Sequence, residues 1–204
     1  MARFLRLMLL ALVVIAAPAV AMAQTVPAYR EGDPTVGSAS APVTLTVYLS
    51  TTCSHCAHWH NDDYPAFKAK YVDTGKVRVV YRELPTPPQP VAVAGATMAR
   101  CAPADRYETV LDALFRGQAT YFPNRQTRDW LIAGGTAGGL TQEQMQACLS
   151  RENIEASNAR AEQSFADGVN TTPSFFINGE RVLANSAPEL AAFDTLIQPL
   201  LAKR

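Results

Sequence analysis

The sequence predicts an α/β fold: a strand–helix–strand unit, then a block of helices, then a β-hairpin and a closing helix. Three observations carry this. The runs "VTLTVYLS" (Val43 to Ser50) and "KVRVVYREL" (Lys76 to Leu84) are β-branched and aromatic, as buried strands are. A helical pattern separates them, and two strands joined through a helix make a parallel pair. The third is "PSFFINGERVL", where Asn178-Gly179 sits between two apolar runs as the residue pair that favours a type I′ hairpin turn.

Taken in order, the chain opens with "MARFLR", whose Arg3 and Arg6 precede the apolar run "LMLLALVVIAAPAVAMA". The run ends in the small-residue pattern Ala21-Met22-Ala23, which completes the layout of a secretory signal peptide. It falls short of a bilayer span and Pro18 breaks it, so cleavage before Gln24 and export are expected rather than anchoring. Residues 24–42, "QTVPAYREGDPTVGSASAP", read as a loose, extended lead-in. After the first strand, a helical pattern runs from Cys53 to about Tyr71, with a kink expected at Pro65 because proline lacks an N–H. The second strand closes on the loop "PTPPQP".

Residues 91 to about 167 read as helices. Thr141 and Gln144 have capping-box spacing, and Asp167-Gly168 stops the last helix of the block. A second capping box, Ser186 to Glu189, should open the final helix. That helix presents Leu190, Phe193, Leu196 or Ile197, and Leu200 at helical spacing, and Pro199 should fray or kink its end. This order is that of a thioredoxin fold with an inserted helical domain: signal peptide 1–23, lead-in 24–42, and a domain over 43–204 with its insertion at about 91–167.

The 18 basic and 18 acidic residues balance, and removing Arg3 and Arg6 leaves 16 against 18. Such a balance excludes a basic nucleic-acid or membrane-surface protein. The four cysteines are an even number, so in an oxidising compartment disulfides are the default.

The chemistry concentrates in "TTCSHCAHWH", residues 51 to 60. Covalent haem attachment needs a histidine straight after the second cysteine, where this chain has Ala57. A structural zinc site needs four ligands, and the other two cysteines are distant and without ligand neighbours in sequence, so no metal is assigned. His58 and His60 read as polar residues on a partly exposed helix. A redox pair fits best. A C-x-x-C at a strand-to-helix junction puts the first sulfur at the helix N-terminus, where free N–H groups and the macrodipole stabilise a thiolate. Cys53 is then the exposed nucleophile and Cys56 the resolving thiol one turn on. His55 between them can add positive charge near the Cys53 sulfur. A stabilised thiolate favours the dithiol form and makes the disulfide a stronger oxidant.

With Thr172-Pro173 opening a strand more than a hundred residues later, the chain resembles the bacterial periplasmic DsbA-type thiol:disulfide oxidoreductases. The resemblance rests on Cys53-Ser54-His55-Cys56, "YVDTGKVRVVYRELP", the helical insertion and "TPSFFING", and covers nearly all of the chain after the leader. It implies a monomeric, cofactor-free disulfide oxidase that passes its Cys53–Cys56 disulfide to unfolded exported proteins bearing free cysteines. A DsbB-type membrane oxidase would then reoxidise it. It also implies that Thr172 and Pro173 form a cis-Pro loop whose backbone pairs with an extended substrate, and that His55 tunes the pair. A strongly oxidising pair is a known property of that family, so the direction read from the residues agrees with it rather than adding to it. One position departs: the family's usual acidic residue six positions before the first cysteine is Val47 here. Ser54 also replaces the more common proline.

Cys101 and Cys148 lie in the helical block, and a structural disulfide between them is the favoured pairing, as in a second branch of the family. Four cysteines allow three connectivities, and sequence does not exclude the others. Competing functions are an isomerase or reductase of the same fold, a periplasmic copper- or zinc-binding protein using the Cys/His cluster, and a holdase.

Overall fold

The computed structural model describes residues 24–182 and 187–203. Both the expected leader and Ser186 of the second capping box lie outside them. Five strands, β1 (Thr35–Val36), β2 (Val43–Leu49), β3 (Val77–Glu83), β4 (Ser174–Ile177) and β5 (Glu180–Arg181), make one sheet in the order β1-β3-β2-β4-β5. β2 and β3 run parallel, with Val43 opposite Val77 and Leu49 opposite Glu83. β4 returns antiparallel against β2 and turns into β5 at Asn178 (φ 50°) and Gly179 (φ 88°), both left-handed as a type I′ turn requires.

The helical run after the cysteine motif is continuous. It comprises α1 (Ser54–His58), a π-helical stretch (Trp59–Asp63), α2 (Tyr64–Phe67) and a second π-helical stretch (Lys68–Val72). Pro65 does not break it. The wider turn ahead of it, in which the Tyr64 N–H reaches back five residues to the Trp59 carbonyl, absorbs the missing donor. Buried Cys56, His60, Tyr64, Phe67 and Tyr71 follow one another at helical spacing, so His60 lies on the inward face, and Trp59 beside it is buried too.

The insertion packs α3 (Gln89–Cys101), α4 (Tyr107–Tyr121), α5 (Thr127–Ala137), α6 (Gln142–Cys148) and α7 (Arg151–Ala166) between β3 and β4. Its first helix begins at Gln89. The capping box at Thr141 and Gln144 forms, and Asp167 with Gly168 (φ 76°) ends α7. The closing helix α8 (Leu190–Ala202) buries Phe193 and Ile197 and leaves Leu196 exposed; Pro199 lies inside it and the helix continues past it. Trp59, Phe67, Tyr71, Phe115, Trp130 and Phe193 anchor a core shared by sheet and helices. Each such side chain contributes about 2 kcal/mol by leaving water.

Residues 24–42 are not loose. Thr35 and Val36 pair antiparallel with β3, and Thr25 bridges Glu180. Arg30 holds Asp167, and Arg82 holds Asp33. A two-residue strand between Pro34 and Gly37 carries no alternation to detect, which is why composition alone reads as loop.

Candidate active site

β2 ends at Leu49 and delivers the chain to Cys53, which caps α1 in an extended conformation (φ −79°, ψ 121°). The Cys53 Sγ accepts the Cys56 N–H at 3.4 Å, one of the free donors of a helix start. In its thiol form the same sulfur faces the Thr172 carbonyl at 3.5 Å. The Thr172–Pro173 peptide is cis, and Pro173 leads directly into β4. The hairpin therefore brings the late Thr-Pro to the early cysteine because β4 pairs with β2.

Cys53 and Cys56 are free thiols with opposite environments. A hydrogen bond from the Cys56 side chain, helped by the Thr172 side chain and the Cys56 and His55 backbone N–H groups, brings the Cys53 thiol down to about 5 against the opposing effect of burial. Cys56 is buried, and desolvation together with the neighbouring Cys53 sulfur pushes it well above the ordinary thiol value. Two sulfurs sharing one site lose their protons in sequence, and Cys53 ionises first.

The His55 side chain is exposed, and what this residue brings to the sulfur is its backbone N–H. His58 is exposed and pairs with Asp62 at 2.7 Å. His60 is different: 2% exposed and packed on Tyr64 and Phe115, it is held down to about 4 by burial, and so is neutral at pH 7. Its expected place on a partly exposed face is thus corrected: four residues after buried Cys56 and four before buried Tyr64, it lies on the inward face. Among the described residues no three His, Cys, Asp or Glu side chains gather as a metal-ligating group.

Val47 is fully buried between Tyr81 and Phe175 in the sheet. The groups that favour a Cys56 thiolate are instead the Ser50 backbone N–H and the Thr172 side chain. Cys101 and Cys148 form a disulfide, with Cα atoms 5.9 Å apart, that ties the end of α3 to the end of α6.

Several residues that hold the site were not singled out in the sequence. Ser50 is a hub: its Oγ meets the Thr86 N–H at 3.0 Å and the Thr86 hydroxyl at 2.9 Å, and its carbonyl accepts the Cys53 N–H at 3.1 Å. Thr86 lies in the proline-rich loop, in which Pro87–Pro88 is a second cis peptide. The Thr51 hydroxyl donates to the Ala92 carbonyl on α3 at 3.0 Å, a close approach that Gly95 permits, since a Cβ there would sit 2.5 Å from that oxygen. Gln118 of α4 donates to two carbonyls of the active-site loop. A signal for Gln118 existed: it continues the buried stripe Tyr107, Leu111, Leu114, Phe115 at helical spacing, where a polar residue needs a partner. Glu83, at the end of β3, is buried and shared by Arg100, Arg160 and Ser157.

A family model described as thioredoxin matches residues 30–198. A putative protein-disulfide oxidoreductase from Rickettsia bellii is 31% identical over 173 residues, covering 82% of this chain and 66% of the relative. The chain therefore spans just under two thirds of that relative's length. Among solved structures, Wolbachia pipientis alpha-DsbA1 superposes with a TM-score of 0.75 at 23% identity, covering 86% of this chain and 94% of the other. A protein-disulfide isomerase from Novosphingobium aromaticivorans gives a TM-score of 0.67 at 23% identity, covering 82% and 98%. At these identities the two structures establish a shared fold, insertion included.

Proposed function

The chain belongs to the thioredoxin family, and from that premise we propose that it is a thiol:disulfide oxidoreductase of the DsbA type. In this reading it donates a Cys53–Cys56 disulfide to unfolded, exported proteins. The observation that carries the proposal is the Cys53 sulfur, placed at a helix start and against Thr172 with its thiol held down to about 5.

The steps follow from that placement. A substrate thiolate attacks the Cys53 Sγ of the enzyme disulfide; the Cys53–Cys56 bond breaks, and Cys56 leaves as a thiolate and takes up a proton. The Thr172 side chain and Ser50 N–H ease that departure. A second substrate thiolate then attacks the substrate sulfur of the mixed disulfide and expels Cys53, a good leaving group because its thiolate is stable. The substrate loses two electrons and the Cys53–Cys56 pair gains them. Substrate backbone next to Thr172 and Pro173 would bind by main-chain hydrogen bonds, with little demand on sequence.

The chain works after export, with residues 1–23 removed, as a monomer in the periplasm, and a DsbB-type membrane oxidase restores its disulfide. The test mixes oxidised protein with a reduced, unfolded client and follows client disulfides. Stoichiometric transfer that disappears in Cys53→Ser supports the proposal. Client protection that survives Cys53→Ser would instead mean a holdase, and reshuffling of wrong disulfides without net oxidation would mean an isomerase.

A further inference from the structure

We propose that Gln118 is a positioning residue for the reactive thiol, acting through the main chain of residues 51–53; this rests on reading Cys53 as the nucleophile. Gln118 belongs to the inserted helical block, yet its amide ends on the active-site loop. Its Nε2 donates to the Thr51 carbonyl at 2.8 Å and to the Cys53 carbonyl at 3.3 Å. Both partners can only accept, so the amide nitrogen must face them and its orientation is fixed. Gln118 is 8% exposed and Thr51 1%. Among the described residues the Thr51 carbonyl receives no main-chain donor, so Gln118 is what satisfies it.

The loop's side chains are tied elsewhere. Thr51 Oγ1 donates to the Ala92 carbonyl, and Thr52 Oγ1 donates to the Thr86 carbonyl. Those bonds locate the loop, and Gln118 sets how its peptide planes face. The Cys53 carbonyl already accepts the Ala57 N–H at 3.0 Å as the first bond of the helix, and the amide adds a second donor from the side. With that plane fixed at ψ 121°, the Cys53 side chain points back over the helix start, where it meets the Cys56 N–H. Without the amide, a buried Thr51 carbonyl must turn toward water. The Cys53 plane turns with it, and the sulfur leaves its donor. The inserted domain thereby sets the acidity of the thiol through the main chain that carries it.

The experiment reads thiolate absorbance near 240 nm against pH on the full reduced protein, and the dithiol–disulfide equilibrium against glutathione. Gln118→Met keeps the volume and removes the donor; it should raise the titration midpoint by about one pH unit, a tenfold loss of thiolate preference. The glutathione equilibrium should move roughly tenfold toward the disulfide. Gln118→Asn, which keeps the amide one methylene short, should fall between, and carries the test if the methionine variant does not fold. A folded variant with unchanged midpoint and unchanged equilibrium would reduce Gln118 to a space-filling residue and overturn the proposal. Failure of client oxidation in the wild type, with the midpoint still moving, would count against the oxidase reading and not against this one.

Discussion

Removing the Cys56 sulfur should make Cys53 a weaker acid. The Cys56 side-chain hydrogen bond is the largest of the effects that hold the Cys53 thiol down to about 5. A hydrogen bond to a charged group contributes roughly 1.5–3 kcal/mol. The low end applies because S–H is a weak donor and because Cys53 is partly exposed to water, which screens it. About 1.5 kcal/mol corresponds to about one pH unit. Cys56→Ala should therefore raise the Cys53 midpoint by about that much, while Cys56→Ser, which keeps an O–H donor, should stay close to the wild type. Both variants leave one free thiol and the Cys101–Cys148 disulfide intact, so no reductant complicates the titration. The assay is the pH dependence of thiolate absorbance, checked by alkylation rate. Identical midpoints in Cys56→Ala, Cys56→Ser and reduced wild type would refute the assignment of Cys56 as the donor.

Glu83→Gln leaves Arg100 and Arg160 without their shared carboxylate. It should lower unfolding stability by about 3 kcal/mol in urea titrations, the low end for a broken buried pair because both arginines can turn to water. Replacing Cys101 and Cys148 together by alanine opens a link across 47 residues and should lower stability by about 4 kcal/mol in the chain-entropy model, with the Cys53 midpoint unmoved. Burial holds folded His60 down to about 4, below its unfolded value, so below about pH 6.5 the unfolded chain takes up a proton that the folded one refuses. Stability is then lost as pH falls from about 6.5 toward 4, by up to about 3 kcal/mol. His60→Phe, which suits the aromatic surroundings, should flatten urea midpoints across that window relative to wild type.

The parts of the fold written in periodicity were legible. Val43 to Leu49 and Val77 to Glu83 alternate and branch as strands do, and Asn178-Gly179 specifies its own turn. The cysteine pair was legible because a C-x-x-C at a strand-to-helix junction has few other uses. What escaped was set by tertiary contact. β1 is two residues long and exists because β3 offers an edge. His60 shares a helix face with Cys56 and Tyr64, but that this face is covered, by Phe115 of the insertion among others, is decided only by tertiary contact. Ser50 and Thr86 are ordinary polar residues until the chain folds and makes them neighbours of one loop, and the helical spacing that marks Gln118 as buried does not say which carbonyls it meets. His55 stood out for its charge, yet its N–H is what faces the sulfur.

The equilibrium of the Cys53–Cys56 pair with a glutathione buffer tests the central claim most directly. At a poise of about −200 mV, a pair whose leading thiolate is this well stabilised should stand mostly as the dithiol. A protein found mostly as the disulfide at that poise would be built to reduce its partners, and the role of Cys53 as a stabilised, oxidising centre would be contradicted.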